Sequence, residues 1–253
     1  MRCHPVIEVY RLDIELGAPV AASDPFIHLD SFLSYAAGIE ELGFDGLQEL
    51  DEGDEPEYFE EEMPLEKVEV AGEWVWACSS ALIAPLGEEV SGLDSNGWNV
   101  TRWRKRFDPD LENSVKNTQI NITTGHFKSY NAALPYNAVD TLVFYFCGDP
   151  DRVKELVERY IPALGKMRKQ GFGVIRSVSV EEEIQADSPI FHDNQVLRSL
   201  PAQFLQGTPT EVTIERRTVR PPYWHTGNQT LAVAPFEQIS EANIRDEAKN
   251  LDG

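Results

Sequence analysis

The stretch "TLVFYFCGDPDRVKELVERYIPALGKMRKQGFGVIRSVSVEEE", residues 141–183, decides the reading of this chain. Residues Thr141 to Cys147 form a dense apolar run with β-branched and aromatic members, the composition of a buried strand. A helix follows at once. Asp149 reads as its N-cap, Pro150 as its first helical position and Gly165 as the residue just past its end. Val153, Leu156, Val157, Tyr160 and Ile161 fall on one stripe at helical spacing. From Phe172 the chain alternates again, so a second strand runs to Glu183.

The same order occurs earlier. "PVIEVYRLDIEL" (5–16) alternates as a strand, and "HLDSFLSYAAGIEELG" (28–43) follows as an amphipathic helix stopped by Gly43. "EWVWACSSALIAPL" (73–86) has strand propensity. The segment 117–148 starts with alternating residues, reads as loop in its middle and ends in the strong strand already quoted. The coarse order is strand, helix, strands, then strand, helix, strand. That order predicts an α+β protein with a ferredoxin-like (RRM-like) βαββαβ core, carrying insertions and a C-terminal β extension that begins at "TEVTIERRTVRPPYW". One domain is expected over residues 1–253. An acidic insertion is expected at about 45–69, and a polar tail at about 237–253.

Charge is the chain's most informative property. Its 43 carboxylates face only 22 lysines and arginines, giving a formal net charge of −21. An acidic, lysine-poor surface fits a cytosol of molar salt, where a short Debye length mutes self-repulsion. An acidic mimic of nucleic acid is the alternative. The charge is unevenly spread, however. Residues 101–176 carry 13 basic against 8 acidic residues, while the rest of the chain carries 9 against 35. A mimic has no use for such an exempt region, and a polyanion-binding protein does.

Within the exempt region, "LGKMRKQGFGVI" (164–175) places Lys166, Arg168 and Lys169 among Gly165, Gly171 and Gly173. It lacks the GK[ST] of a P-loop, and it follows a helix rather than opening one. Glycines admit a close phosphate backbone and the cations supply charge-assisted contacts, with Phe172 between them. "WNVTRWRKRFD" (98–108) interleaves Arg102, Arg104, Lys105 and Arg106 with aromatic rings that stack on unpaired bases. "TTGHFKSYNAALPY" (123–136) sets His126, Lys128 and Tyr130 at alternate positions, sharing one face if extended. In "RPPYWH" (220–225), Tyr223 and Trp224 are either a stacking platform or a packed anchor.

Other chemistries find little here. The five histidines show no metal-binding spacing, and no GxSxG occurs. Cys3, Cys78 and Cys147 form no CxxC pair, and the last two sit in apolar runs as buried thiols. His28-Leu29-Asp30 reads as a helix cap or a polar packing pair. No metal or cofactor is called for. No run of 18 apolar residues exists and the N-terminus is charged throughout, so a cytoplasmic protein without membrane contact is expected.

Four stretches together carry a resemblance: "HLDSFLSYAA"; "WRKRFD" with "GHFKSYNAALPY"; "ALGKMRKQGFGVI"; and "RPPYW". In this order they resemble the RAMP superfamily of CRISPR-associated proteins, and within it the small RAMP subunit of type IV effector complexes. The resemblance implies a non-catalytic subunit that holds the 5′ handle of the guide RNA (crRNA) and caps a filament of backbone subunits. It implies the type IV backbone and large subunits and an associated helicase as partners, and target DNA through the complex. RNA contact would fall on Gly165, Lys166, Arg168, Lys169, Gly171 and Gly173, and would extend to Arg104, Lys105, Arg106 and Lys128. The reading of the residues themselves adds Phe172, Tyr130, Tyr223 and Trp224 as RNA-binding candidates. A metal-independent endoribonuclease that processes precursor guide RNA is the alternative, with His28, His126 or Tyr130 as the base.

Overall fold

The structure is a computed structural model; it describes residues 8–22, 25–48, 60–86, 91–93, 97–105, 130–183, 186, 188–207 and 212–249. It is a mixed α/β fold of helices and antiparallel strands gathered in several small sheets.

The quoted stretch forms its centre. β1 (Tyr10–Leu16) lies between β7 (Thr141–Phe146) and β8 (Ile175–Glu182), antiparallel to both. Leu12 faces Phe144 on one side and Val180 on the other; Ile14 faces Leu142 and Val178. This face packs under two helices, α1 (Leu29–Gln48) and α2 (Pro150–Tyr160). They contribute Leu29, Phe32, Leu33 and Ala36, and Val153, Leu156 and Val157, to one core cluster. The opposite face of β7 carries Val143 and Tyr145, which enter a second core built with the C-terminal residues Val196, Leu197, Leu200, Phe204 and Val219. Burial on both faces explains why β7 reads as a continuous apolar run.

Residues 77–82 run along the outer edge of β7. Ser79 N donates to Tyr145 O at 2.8 Å and Leu82 N to Val143 O at 2.8 Å; Cys147 N donates to Ala77 O at 2.9 Å. The register slips by one residue between the bridges Cys78↔Phe146 and Leu82↔Val143, so no regular strand forms there. Upstream, β3 (Lys67–Val70) and β4 (Glu73–Trp76) make a hairpin. The acidic insertion expected at about 45–69 is therefore anchored at its end: Met63, Leu65 and Val68 are buried, as is Val70 just beyond it. Residues 49–59 of that stretch lie outside the described residues.

Helix α2 starts as expected. Asp149 Oδ1 accepts from the amides of Asp151 and Arg152, both at 3.1 Å, and Pro150 follows the cap. Its end is earlier than expected. Ile161 closes it through Val157 O, because Pro162 has no amide hydrogen with which to continue the ladder; Gly165 is not its C′ residue. Gly43 breaks α1 as expected, at φ 71° and ψ 168°, and helical turns resume to Gln48.

A second sheet joins β2 (Val20–Ala21), β6 (Tyr130–Asn137) and β5 (Asn99–Lys105), in the order β2-β6-β5. The middle of 117–148, expected as loop, contains residues 130–137 of this sheet. The stretch is a strand despite Pro135, because β2 pairs only with Tyr136 and Asn137 and leaves that edge of Pro135 free. A small hairpin, β9 (Phe191–His192) with β10 (Gln195–Val196), leads into the C-terminal sheet. That sheet has the order β11 (Leu200–Pro201), β13 (Gln229–Val233), β12 (Ile214–Thr218). The described part of the polar tail is pinned through buried Ile239, Ile244 and Ala248.

Candidate nucleic-acid interface

The glycine-rich loop is stitched to β2 and to the turn before it. Lys166 N donates to Ala21 O at 2.5 Å, Gly173 N to Pro19 O at 2.8 Å, and Leu164 N to Gly173 O at 2.9 Å. The three glycines divide by role. A Cβ on Gly165 would sit 2.3 Å from Ala21 O, and one on Gly173 would sit 2.0 Å from Leu164 O. Close approach of the chain to itself explains both. Gly171, at φ 90°, faces open space. It ends a short 3-10 turn, Arg168–Gln170, that presents the loop's cations. Lys166, Arg168 and Lys169 are exposed, and none forms an ion pair with a described carboxylate. Arg168 lies 5.5 Å over the ring of Tyr35, on α1.

The loop and the basic hairpin, far apart in sequence, meet through β2. Ala21 bridges Lys166 on one edge and pairs with Tyr136 of β6 on the other. Phe172 stands 6.2 Å from the Tyr136 ring. Pro19, Thr101, Tyr136, Gln170, Gly171 and Phe172 line a hollow of about 370 Å³ between loop and hairpin. Arg102 is exposed on β5, again without a described ion-pair partner. Arg104 and Lys105 continue that strand in register with Asn131 and Tyr130. Arg106, His126 and Lys128 lie outside the described residues.

The open part of the main sheet offers nucleic acid nothing comparable. There β1 and β8 present Arg11, Asp13, Glu15, Ser179 and Glu181. Arg11 is held by Asp13 and Glu181, each at 3.1 Å, and Arg176 by Glu15 at 2.7 Å. Without a free cation or an exposed aromatic ring among these residues, a phosphate chain gains little there.

The C-terminal pair splits. Trp224 is exposed, edge-on to His225. Tyr223 turns inward: its hydroxyl donates to Asp30 Oδ1 at 2.9 Å and its ring stacks on His28, with centroids 4.9 Å apart and planes 6° apart. One ring face is thereby taken, a contact of the kind the anchor reading expects. His28 is buried, with Nδ1 2.8 Å from Ser80 Oγ and Nε2 3.4 Å from Ser199 Oγ. Burial, aided by Arg198 and Arg217, pushes the His28 pKa well below the usual 6.5, so the ring is neutral.

Sequence reasoning missed a cleft beside this group. Phe26, His28, Ser31, Ser199, Arg216 and Arg217 border a concavity of about 470 Å³, with Tyr223 at its edge. The signal for it was the cluster Arg216, Arg217 and Arg220, the basic residues of an otherwise cation-free stretch from 199 to 244.

With this geometry described, comparison with known families decides the assignment. A family model described as "CRISPR type IV associated protein Csf3" matches residues 8–235. The chain belongs to this family. No curated protein matches it. The match spans the glycine-rich loop, the β5–β6 hairpin and the β12 cleft. Membership places the chain in type IV CRISPR systems, as a subunit that works with other type IV components. Among the described residues no cluster of histidine, cysteine or carboxylate groups could hold a metal ion. Cys78 and Cys147 are buried, and burial pushes the Cys147 thiol up to about 12. No helix among the described residues is long and apolar enough to cross a membrane.

Proposed function

We propose that this chain is the non-catalytic RNA-binding subunit of a type IV CRISPR ribonucleoprotein, holding the 5′ handle of the guide RNA and capping the backbone filament. The observation that carries this reading is the meeting of the glycine-rich loop and the basic hairpin through Ala21, with Lys166, Arg168, Lys169 and Arg102 left free of described carboxylates. In a chain of net charge −21, cations left unpaired are available to phosphate. We also read the core as ferredoxin-like; what supports that reading is the chain order β1, α1, β7, α2, β8, the sheet order β7-β1-β8 and the isolated bridges of residues 77–82 to the outer edge of β7. The partners are the guide RNA, the type IV backbone and large subunits and the associated helicase, with target DNA reached through the complex. The compartment is a cytoplasm of high salt.

The test is co-expression with the other type IV components and a guide array, followed by purification and measurement of bound RNA. Replacing Lys166, Arg168 and Lys169 together with Ser is expected to remove guide RNA or to block assembly. RNA content equal to that of the unaltered protein would sink the reading.

One observation favours a second reading, a metal-independent endoribonuclease: His28 lines a cleft together with Arg216 and Arg217. A neutral imidazole beside guanidinium groups is the equipment for attack by a 2′-hydroxyl. Both ring nitrogens already face serine hydroxyls, however, which leaves no free base. Incubating the protein with repeat RNA in EDTA at molar salt separates the two. Cleavage that disappears in His28→Ala would establish the enzyme.

A further inference from the structure

We propose that the cleft beside β12 is a second RNA subsite, taking one nucleotide of the single strand that leaves the glycine-rich loop. The proposal rests on the RNA-binding reading above and extends its path. Phe26 and Ser31 line this cleft and also border a smaller hollow of about 210 Å³, whose other walls include Gly165 and Arg168. The two hollows share Phe26 and Ser31 as a common wall, so a strand lying on Arg168 passes Phe26 to reach the cleft.

The lining has the chemistry of a nucleotide site. Arg216 is exposed and pairs with no described carboxylate, so its guanidinium is free for a phosphate fork. Arg217 pairs with Glu215 and lies 5.5 Å over the ring of Phe26. Its Nε is buried without a hydrogen-bond partner, a donor that an incoming acceptor would satisfy. Glu215 cancels one of the two arginines, which limits the site to a single phosphate. Ser31, Ser199, Thr218 and Gln229 add hydroxyl and amide groups suited to a base edge or a 2′-hydroxyl. The volume of about 470 Å³ falls within the roughly 300–1,000 Å³ usual for small-ligand sites. The N-terminus of α1 is not what binds here, because Asp30 already occupies it.

The test uses the full-length protein and a short oligouridylate RNA carrying 4-thiouridine, cross-linked by light and mapped by mass spectrometry of the adducted peptides. Two adducts are expected, one on residues 164–176 and one on Phe26 or residues 214–218. Because Arg216 is exposed, Arg216→Ser leaves the packing intact. It should remove the second adduct, keep the first, and weaken binding about tenfold, the effect of one charge-assisted hydrogen bond. A loop adduct without a cleft adduct overturns this subsite and leaves the RNA-binding reading standing. Absence of both adducts overturns both. A cleft adduct that survives Arg216→Ser at unchanged affinity overturns the role given to Arg216.

Discussion

Arg198 Nη2 donates to Asp30 Oδ2 at 3.0 Å, and both side chains are fully buried. The pair joins the start of α1 to the segment between β10 and β11. Arg198 also donates to Val219 O at 2.6 Å and to the carbonyl of Trp76, while Tyr223 caps the other oxygen of Asp30. Asp30 holds Arg198 charged. Burial pushes the Asp30 carboxyl up, and Arg198 and Tyr223 pull it back. One guanidinium thus fixes three segments and the wall of the β12 cleft.

Removing it leaves a buried carboxylate without its cation. Arg198→Met is expected to cost about 3–5 kcal/mol, the usual penalty for breaking a buried pair from one side. Denaturant unfolding at constant salt, followed by tryptophan fluorescence, measures it. Exchanging both partners, Arg198→Met with Asp30→Leu, should recover much of the loss. A single variant within about 1 kcal/mol of the parent would show that Asp30 finds another partner.

Acid should destabilise the protein through His28. Its pKa is depressed in the folded protein, so the unfolded chain binds the extra proton. The stabilisation from neutral His28 is complete above the unfolded value near 6.5 and is lost as pH falls below it. The limiting slope is about 1.4 kcal/mol per pH unit for one proton. Stability measured from pH 7.5 down to pH 5 should fall with that slope, and His28→Gln should flatten the curve. A parent curve already flat across this window would mean that His28 titrates normally.

Much of this was legible in the sequence, for reasons that particular residues make clear. Asp149-Pro150 marks the start of α2 because capping is local chemistry, and the period of Val153, Leu156 and Val157 marks its buried stripe. The double burial of β7 shows as an unbroken apolar run. The end of α2 was misread because Gly165 answers to a distant carbonyl, that of Ala21, rather than to the helix. Likewise Tyr223 and Arg198 take their roles from Asp30, nearly two hundred residues away for the tyrosine, and no local pattern encodes such a pairing. Loop and hairpin were each visible as basic segments. Their contact depends on the two-residue strand β2, too short to carry a periodic signal.

The glycines of the loop should separate in a stability experiment. Gly173→Ala places a methyl group 2.0 Å from Leu164 O at φ 63°, and is expected to cost about 3 kcal/mol or more. Gly171→Ala meets no atom within 4 Å and should cost only the roughly 1–2 kcal/mol of a left-handed backbone. Thermal unfolding of the two variants side by side gives the ranking. Equal losses would remove the distinction between a packed glycine and an open one.

The loop's cations and its aromatic ring should also separate, by salt. Each phosphate contact on single-stranded nucleic acid contributes a slope of about −0.7 in log K against log salt. Replacing Lys166, Arg168 and Lys169 with Ser should therefore make that slope shallower by roughly 2. Phe172→Ala removes a stacking surface beside Tyr136 instead. It should weaken binding by about 1–3 kcal/mol at every salt concentration, without changing the slope. Fluorescence anisotropy of a labelled oligouridylate across a salt series reads both effects. An unaltered slope in the triple variant would remove the loop from the phosphate path. Since counterion release fades toward molar salt, the binding that persists there should depend on Phe172 more than on the three cations, and an acid-biased chain of this kind can hold RNA in brine only if it does.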